Sequence, residues 1–176
     1  MSENIEFWRK DKLKTRFLRQ PGFLRVGKHV WNKINVDNSC KNPKARYAHS
    51  MVSYDNKLLV FGGTNTTETF NDLWQYDCNT KQWKEIKLAG ENTVIARYAH
   101  CATIQYILDQ PIMIIHGGVG SKGKIIGGLC AYNIIHNQWV NITTVVLVPQ
   151  VAFHSMEKLQ TCQVNCKHLL FQEQQS

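Results

Sequence analysis

The sequence lacks the features that mark several large classes of protein. It has no run of 18 apolar residues, so it predicts no transmembrane helix. Its start, MSENIEFWRKDKLK, has no apolar stretch of the kind that a secretory signal peptide needs. Glycine-rich phosphate loops, nucleophile elbows and paired carboxylate motifs are also absent. These absences predict a soluble, cytoplasmic or nuclear protein that is not an enzyme and uses no cofactor.

Paired cysteine spacing is missing along most of the chain. Four of the six cysteines are scattered without a partner at short spacing, and we expect them to be reduced thiols: Cys40, Cys78, Cys101 and Cys130. Cys162, Cys166 and His168 resemble half of a zinc site, for which His154 is a candidate fourth ligand. Their spacing matches no common structural zinc site, so the sequence predicts no bound metal.

Positive charge is concentrated at one end of the chain. The net charge is +8, and residues 1–46 hold 12 Lys and Arg against 4 Asp and Glu, whereas residues 47–176 hold 9 of each. A basic arm of this kind suits nucleic acid or anionic lipid. No aromatic stacking pattern or binding motif accompanies it, however, so we interpret it as a solvated linker or the end of a preceding domain. We expect no nucleic-acid or membrane partner, and residues 7–20 favour a short amphipathic helix.

The sequence contains an internal repeat. The tetrapeptide RYAH occurs at 46–49 and again at 97–100, and the residues that follow each copy also match. The first copy is followed by KLLVFGG, NDLWQYD and QWKEI. The second copy is followed by the corresponding segments PIMIIHGG, GGLCAYN and QWVNI. VWNKI at 30–34 repeats the Trp-x-x-Ile ending, and HSM at 154–156 repeats HSM at 49–51. Repetition at this period indicates a solenoid, an array or a propeller.

Each unit is predicted to form four short strands. SMVSY and KLLVF are rich in branched and aromatic residues and are separated by Asp55-Asn56, which favours a turn. LWQYD alternates apolar and polar residues, and a fourth strand ends at Ile86. The double glycine suits a tight exit from the second strand, since glycine reaches positive φ without steric cost. Four strands and a double glycine per unit are typical of a propeller blade.

At these residues the chain resembles the kelch repeat family. The motif residues are a double glycine, a tyrosine and a tryptophan at matched spacing in the two units: Gly62, Gly63, Tyr76, Trp83, Gly117, Gly118, Tyr132 and Trp139. Within the family, RYAHSM, FGG and FNDLW are most similar to the F-box/kelch type. The resemblance implies an all-β, partial kelch-type β-propeller that binds other proteins.

The resemblance divides the chain into five parts. The first two are a basic segment at 1–29 and the last strand of a preceding blade with a linker at 30–43. Two repeats follow, at 44–94 and 95–142. The last part, 143–176, is a divergent tail that contains the start of an incomplete repeat. Kelch propellers close with more than two blades, so the chain is expected to be truncated. A two-blade stack exposes sheet edges that closure buries.

The arginines of the two RYAH copies are candidate partner-binding residues. In the kelch family, arginines at this position often bind partners, and Arg46 and Arg97 fall there. A planar guanidinium suits the carboxylates of an acidic peptide. The alternative is that both arginines form salt bridges that order the loops. The other candidates lie in the variable loops 64–70 and 119–126: Asn65, Thr67, Glu68, Phe70, Ser121, Lys122 and Lys124.

Three functions are compatible with the resemblance. The first is substrate recognition for a cullin-type ubiquitin ligase, with ligase subunits as partners. The second is a cytoskeletal or vesicle-traffic scaffold. The third is a copper-radical oxidase, which needs an unrepeated cluster of Tyr, His and Cys. Because Tyr47, His49, Tyr98 and His100 are all explained by the repeat, the sequence favours a protein-binding module over an enzyme.

Overall fold

The computed structural model describes residues 41–87, 94–140 and 148–156, together with short strands at 22–25, 30–33, 142–143 and 170–171. Within these residues the architecture is all-β, and the one helical element is a 3₁₀ turn, Ser121–Gly123. The described part of the chain contains no helix that is long and apolar enough to cross a membrane. The predicted fold class is therefore confirmed.

Two four-stranded antiparallel sheets form the body of the fold. The strands are β1 (Gly22–Arg25), β2 (Val30–Lys33), β3 (Ser50–Tyr54), β4 (Lys57–Phe61), β5 (Leu73–Asp77), β6 (Gln82–Ile86), β7 (Cys101–Ile107), β8 (Gln110–His116), β9 (Leu129–Asn133), β10 (Gln138–Val140), β11 (Ile142–Thr143) and β12 (Leu170–Phe171). Blade 1 has the order β3-β4-β5-β6 and blade 2 the order β10-β9-β8-β7, while β1 pairs with β2 and β11 with β12.

The first hairpin of each blade closes with a two-residue turn. Asp55 and Asn56 have φ of 43° and 53°, and Leu108 and Asp109 have φ of 48° and 60°. Positive φ at both central residues matches the right-handed twist of the flanking strands. The turn predicted at Asp55-Asn56 is thus present. In blade 2 the hairpin holds a leucine, 86% exposed, in the same left-handed conformation.

The double glycines are required by the chain that crosses them. Gly62 has φ of +60°, and a Cβ placed there would lie 2.6 Å from the carbonyl oxygen of Arg97. At the corresponding Gly117, a Cβ would meet the carbonyl oxygen of Val151. The backbone of the following repeat therefore passes directly over each double glycine, which a side chain would prevent.

The two blades pack face to face through alternating side chains. Successive residues of a strand point to opposite faces, so Leu59 and Phe61 face blade 2, whereas Leu58 faces the other way. The core between the blades contains seven buried residues: Leu59, Phe61, Leu73, Ile86, Met113, Ile115 and Tyr132. A second cluster around Ile112 and Ile114 covers the far face of blade 2 and includes Met156. The partly buried Met156 thus links 148–156 to blade 2.

The N-terminal assignments are only partly within the described residues. The helix predicted at 7–20 lies outside them. The strand predicted from VWNKI is present as β2, and it pairs with β1, where no strand had been predicted. Its membership of a preceding blade stays a prediction.

Candidate functional site

The long connections of both blades lie at one end of the sheets. β3 begins, β4 ends and β5 begins at this end, and the same holds for β7, β8 and β9. We call it the loop end, and it consists of 44–49, 62–72, 95–100, 117–128 and 148–154. The opposite end, which we call the turn end, carries only short turns among the described residues: 55–56, 78–81, 108–109 and 134–137.

Backbone hydrogen bonds fix the base of each long connection. Tyr47 and Thr64 exchange two backbone hydrogen bonds of 2.8 and 2.9 Å. Tyr98 and Val119 make the equivalent pair, at 2.9 and 2.8 Å. Both loops are therefore anchored to the segment that leads into the first strand of the same blade.

The tip of the first loop is ordered by one side chain. Asn65 Oδ1 accepts hydrogen bonds from the backbone N–H groups of Thr67 and Glu68, each at 2.8 Å, and from the Thr67 hydroxyl at 3.0 Å. Glu68 also accepts a hydrogen bond from Lys44 Nζ at 2.7 Å. That bond lowers the pKa of Glu68 below its ordinary value. The one acidic side chain of this tip is thus paired within the chain.

The tip of the second loop is exposed and positively charged. Ser121, Lys122 and Lys124 are all exposed, and Lys122 adopts φ of +62° in the 3₁₀ turn. No acidic residue occurs between 119 and 126. Most of the predicted contact residues of both loops are therefore exposed, but Asn65 is half-buried and Phe70 is only 7% exposed.

Arg46 is buried beneath the first loop. Its Nη1 and Nη2 donate to the two carboxylate oxygens of Asp72 at 2.5 and 2.8 Å. Nη1 also donates to the Gly62 carbonyl at 2.9 Å, and the guanidinium lies 4.1 Å from the centre of the Phe70 ring. Burial alone raises the pKa of Asp72, but hydrogen bonds and charge from Arg46, with a hydrogen bond from Trp74, hold that pKa below its ordinary value. Arg46 therefore joins both ends of the first loop.

Arg97 occupies the same position in blade 2 without a carboxylate. It is 2% exposed, and it donates to the carbonyls of Ile95 and Gly117, both at 3.1 Å. Where blade 1 has Asp72, blade 2 has Gly128, and the second guanidinium nitrogen meets Cys130 Sγ at 3.4 Å. Burial raises the pKa of the Cys130 thiol, so the guanidinium faces a neutral group. The difference is visible in the sequence as FNDLW against IGGLC.

Partner binding by the two arginines stays a prediction. The alternative role, in which both arginines form salt bridges that order the loops, matches the contacts of Arg46 but not those of Arg97, which holds its loop without a described carboxylate. For Arg46 the brace is a bidentate salt bridge, and for Arg97 it consists of hydrogen bonds to carbonyl groups.

A histidine of the second RYAH copy, which is not among the predicted site residues, lies between the two blades. His100 Nε2 is 2.8 Å from Ser50 Oγ, and the imidazole packs edge-on against Phe61 at 5.4 Å between ring centres. Burial, followed by the charges of Arg97 and neighbouring histidines, lowers the pKa of His100 to about 3. His49, at the same position of blade 1, is exposed. The repeat alone does not reveal this difference, because both copies read RYAH.

The buried His100 predicts loss of stability in acid. The unfolded chain takes up a proton near pH 6.5, whereas the folded chain does so only near pH 3, so the free energy of unfolding falls as pH drops between these values. One such group contributes a slope of about 1.4 kcal/mol per pH unit. Urea melts between pH 7 and pH 4 measure it. In His100→Gln, which keeps an amide near Ser50, the free energy of unfolding should depend less steeply on pH, and the difference in slope should correspond to about one proton. Equal slopes in both proteins would contradict the assignment of this pH dependence to His100.

The chain is similar in sequence to known kelch-repeat proteins. A profile of the KLHDC2/KLHL20/DRC7 Kelch-repeats domain matches residues 12–164. Kelch repeat-containing protein 2 of Saccharomyces cerevisiae is 29% identical over 130 residues, covering 68% of this chain and 14% of that protein. Kelch domain-containing protein 10 of Homo sapiens is 30% identical over 106 residues, covering 59% of this chain and 23% of that protein.

One similar protein is named as an enzyme. N-(sulfonatooxy)prop-2-enimidothioate sulfolyase of Thlaspi arvense is 31% identical over 122 residues, covering 65% of this chain and 33% of that protein. The chain thus spans a third or less of the length of each of these relatives. Kelch repeats in general serve as interaction scaffolds rather than as enzymes. With two blades in the structure and a profile that matches most of its length, the chain belongs to the kelch-repeat domain family.

Proposed function

We propose that the chain binds a protein partner through the loop end of its blades. One observation carries the proposal: the two blades repeat strand for strand, yet the exposed tips that they hold, at 65–69 and 121–125, differ completely in sequence. Loops held on a rigid sheet scaffold are where binding specificity usually resides. The turn end offers only connections of two to four residues.

The chemistry of the second loop favours an acidic segment of the partner. Lys122 and Lys124 are exposed, and no described acidic side chain forms a salt bridge with either of them. In the first loop, by contrast, Glu68 is already paired with Lys44. A carboxylate-rich peptide approaching the loop end thus meets two lysines whose charge is available to it.

We assign Arg46 and Arg97 the role of positioning residues within this surface. Both are buried, and each donates to the carbonyl of the first glycine of its pair, Gly62 or Gly117. Each therefore fixes the point at which a long loop leaves its strand. Contact with the partner falls to the exposed residues above them.

Site-specific photo-crosslinking tests the proposal. A photoreactive residue replaces Thr67 or Lys122 at the loop end, or Asn56 or Asn79 at the turn end, all four of which are exposed. After illumination in cells, the crosslinked proteins are identified by mass spectrometry. We expect one partner to be captured from both loop-end positions and from neither turn-end position. Capture of the same partner from the turn end alone would overturn the proposal.

We further propose that this binding presents substrates to a cullin-type ubiquitin ligase. Support comes from the resemblance of RYAHSM, FGG and FNDLW to the F-box/kelch type. Purification of the tagged chain from cells treated with a proteasome inhibitor is expected to recover cullin subunits in addition to the crosslinked partner. Recovery of the partner without any cullin subunit would contradict the ligase role and leave the loop-end interaction intact.

A further inference from the structure

The segment 148–156 packs on blade 2 as 94–102 packs on blade 1. Gly63 N–H donates to the Arg97 carbonyl at 2.8 Å, and Gly118 N–H donates to the Val151 carbonyl at 2.7 Å. Two residues further along the chain, Ala99 N–H donates to the Ala48 carbonyl at 2.8 Å, and Phe153 N–H donates to the Ala99 carbonyl at 2.9 Å. The described residues therefore contain two copies of one junction, which we call the first junction (blade 1 with 94–102) and the second junction (blade 2 with 148–156).

The two junctions differ in chemistry at two of three core positions. The first junction places Ser50, Phe61 and His100 together. The second junction keeps the histidine as His154, but it has Cys101 in place of the serine and His116 in place of the phenylalanine. Cys101 Sγ lies 2.8 Å from His154 Nε2, and the rings of His116 and His154 pack edge-on with 4.9 Å between their centres. A hydroxyl and a phenyl ring are thus replaced by two groups that ligate metals.

We propose that Cys101, His116 and His154 form a zinc-binding site. One ligand atom from each residue lies within 4.8 Å of the other two. His154 Nε2 is 3.1 Å from His116 Nδ1, in addition to its contact with the thiol. Thiolate and imidazole are the ligands that Zn²⁺ prefers, and three protein ligands with a solvent molecule complete a tetrahedron.

The tautomer of His116 is fixed in the form that a metal requires. His116 Nε2 donates its N–H to the carbonyl of Pro149 at 3.1 Å. In the neutral ring the lone pair is then on Nδ1, which lies 3.1 Å from His154 Nε2. A ligating histidine typically uses its other nitrogen in this way to hold its orientation.

The cluster needs only small shifts of its ligand atoms to hold the ion. With Zn–N near 2.0 Å and Zn–S near 2.3 Å, tetrahedral geometry sets N···N at about 3.3 Å and S···N at about 3.5 Å. The His116–His154 and Cys101–His154 separations are 3.1 Å and 2.8 Å, so these pairs move apart by less than about 1 Å. The ligand atoms of Cys101 and His116, which lie within 4.8 Å of each other, must approach to about 3.5 Å. A bound ion would tie 148–156, through His154, to two strands of blade 2.

Cobalt titration of the metal-free full chain tests the site, because Co²⁺ occupies zinc sites and absorbs light when a thiolate ligates it. The wild-type chain should bind one Co²⁺ with thiolate-to-cobalt absorption, and Zn²⁺ should displace it. Cys101→Ser and His116→Phe install the residues of the first junction, so each should fold. We expect the first to abolish the thiolate band and the second to weaken binding by at least about tenfold.

Two control variants separate this site from other thiols. Cys78→Ser removes a free cysteine from the far face of blade 1. A Cys162→Ser/Cys166→Ser variant removes the pair considered from sequence, which lies outside the described residues. Both should bind cobalt as the wild type does. A thiolate band that survives Cys101→Ser, or that disappears in Cys162→Ser/Cys166→Ser, would overturn the proposal.

A second measurement applies even if the junction variants fail to fold. Alkylation of the wild-type chain, followed by peptide mass mapping, gives the modification rate of each cysteine. Zinc should slow the alkylation of Cys101 relative to that of Cys78 by at least about tenfold. Equal rates at Cys101 with and without zinc would exclude the site.

Discussion

Replacing Arg46 with methionine is expected to lower the free energy of unfolding by about 3 kcal/mol, the lower part of the range for breaking a buried ion pair. The substitution leaves Asp72 without either guanidinium hydrogen bond and removes the donor to the Gly62 carbonyl. Asp72 retains 24% side-chain exposure, so water partly solvates the orphaned carboxylate. Methionine fills much of the space, so the loss is electrostatic rather than a cavity.

Arg97→Met is the matched control, since it makes the same change at the equivalent position of blade 2. No described carboxylate lies within salt-bridge distance of Arg97, so its removal also relieves a buried, unneutralised charge. We expect Arg97→Met to cost at least about 2 kcal/mol less than Arg46→Met. Urea unfolding of both variants gives the comparison. Equal losses at the two positions would show that the Asp72 salt bridge contributes nothing beyond the carbonyl contacts.

Trp139→Ala is expected to destabilise the chain by about 3 kcal/mol, because it removes a large ring from the space between the blades. Trp139 packs edge-on against Phe61 of blade 1 and against Tyr132 of blade 2, both at 5.4 Å between ring centres. It is partly rather than fully buried, so the loss falls at the low end for a tryptophan. A single substitution thus weakens the contact between two repeats.

Trp83 occupies the same position in blade 1 and provides the control. Among the described residues its ring contact is with Tyr76 of its own blade, at 5.1 Å. We expect Trp83→Ala to cost about half as much as Trp139→Ala, as judged by thermal melts of both variants. A larger loss at Trp83 than at Trp139 would contradict the placement of Trp139 between blades.

The strands of both blades could be predicted because their signals are local. Asp55-Asn56, the double glycines and the alternation of LWQYD each depend on a few neighbouring residues, and each appears in the structure where the sequence places it. The burial of Arg46 and Arg97 was not evident, because RYAH does not indicate which side chain the blade covers. Comparing FNDLW with IGGLC would have shown that Arg97 lacks a carboxylate at the position of Asp72.

The Cys101, His116 and His154 cluster was beyond sequence reasoning for a different reason. Its members are separated by 15 to 53 positions and meet only because 148–156 crosses the double glycine of blade 2. Aligning the repeats pairs Ser50 with Cys101 and Phe61 with His116. That alignment alone does not show that both substitutions fall beside the same histidine of the next repeat.

Binding of a protein partner at the loop end is measured most directly by calorimetry with the partner that the crosslinking identifies. Lys122→Ala/Lys124→Ala removes two positive charges from the loop end, and Lys57→Ala/Lys81→Ala removes two from the turn end. Two exposed charge contacts of about 0.5 kcal/mol each predict a roughly fivefold loss of affinity for the loop-end variant. The turn-end variant should bind as the wild type does. Equal affinity of both variants, or loss only at the turn end, would contradict the proposed surface.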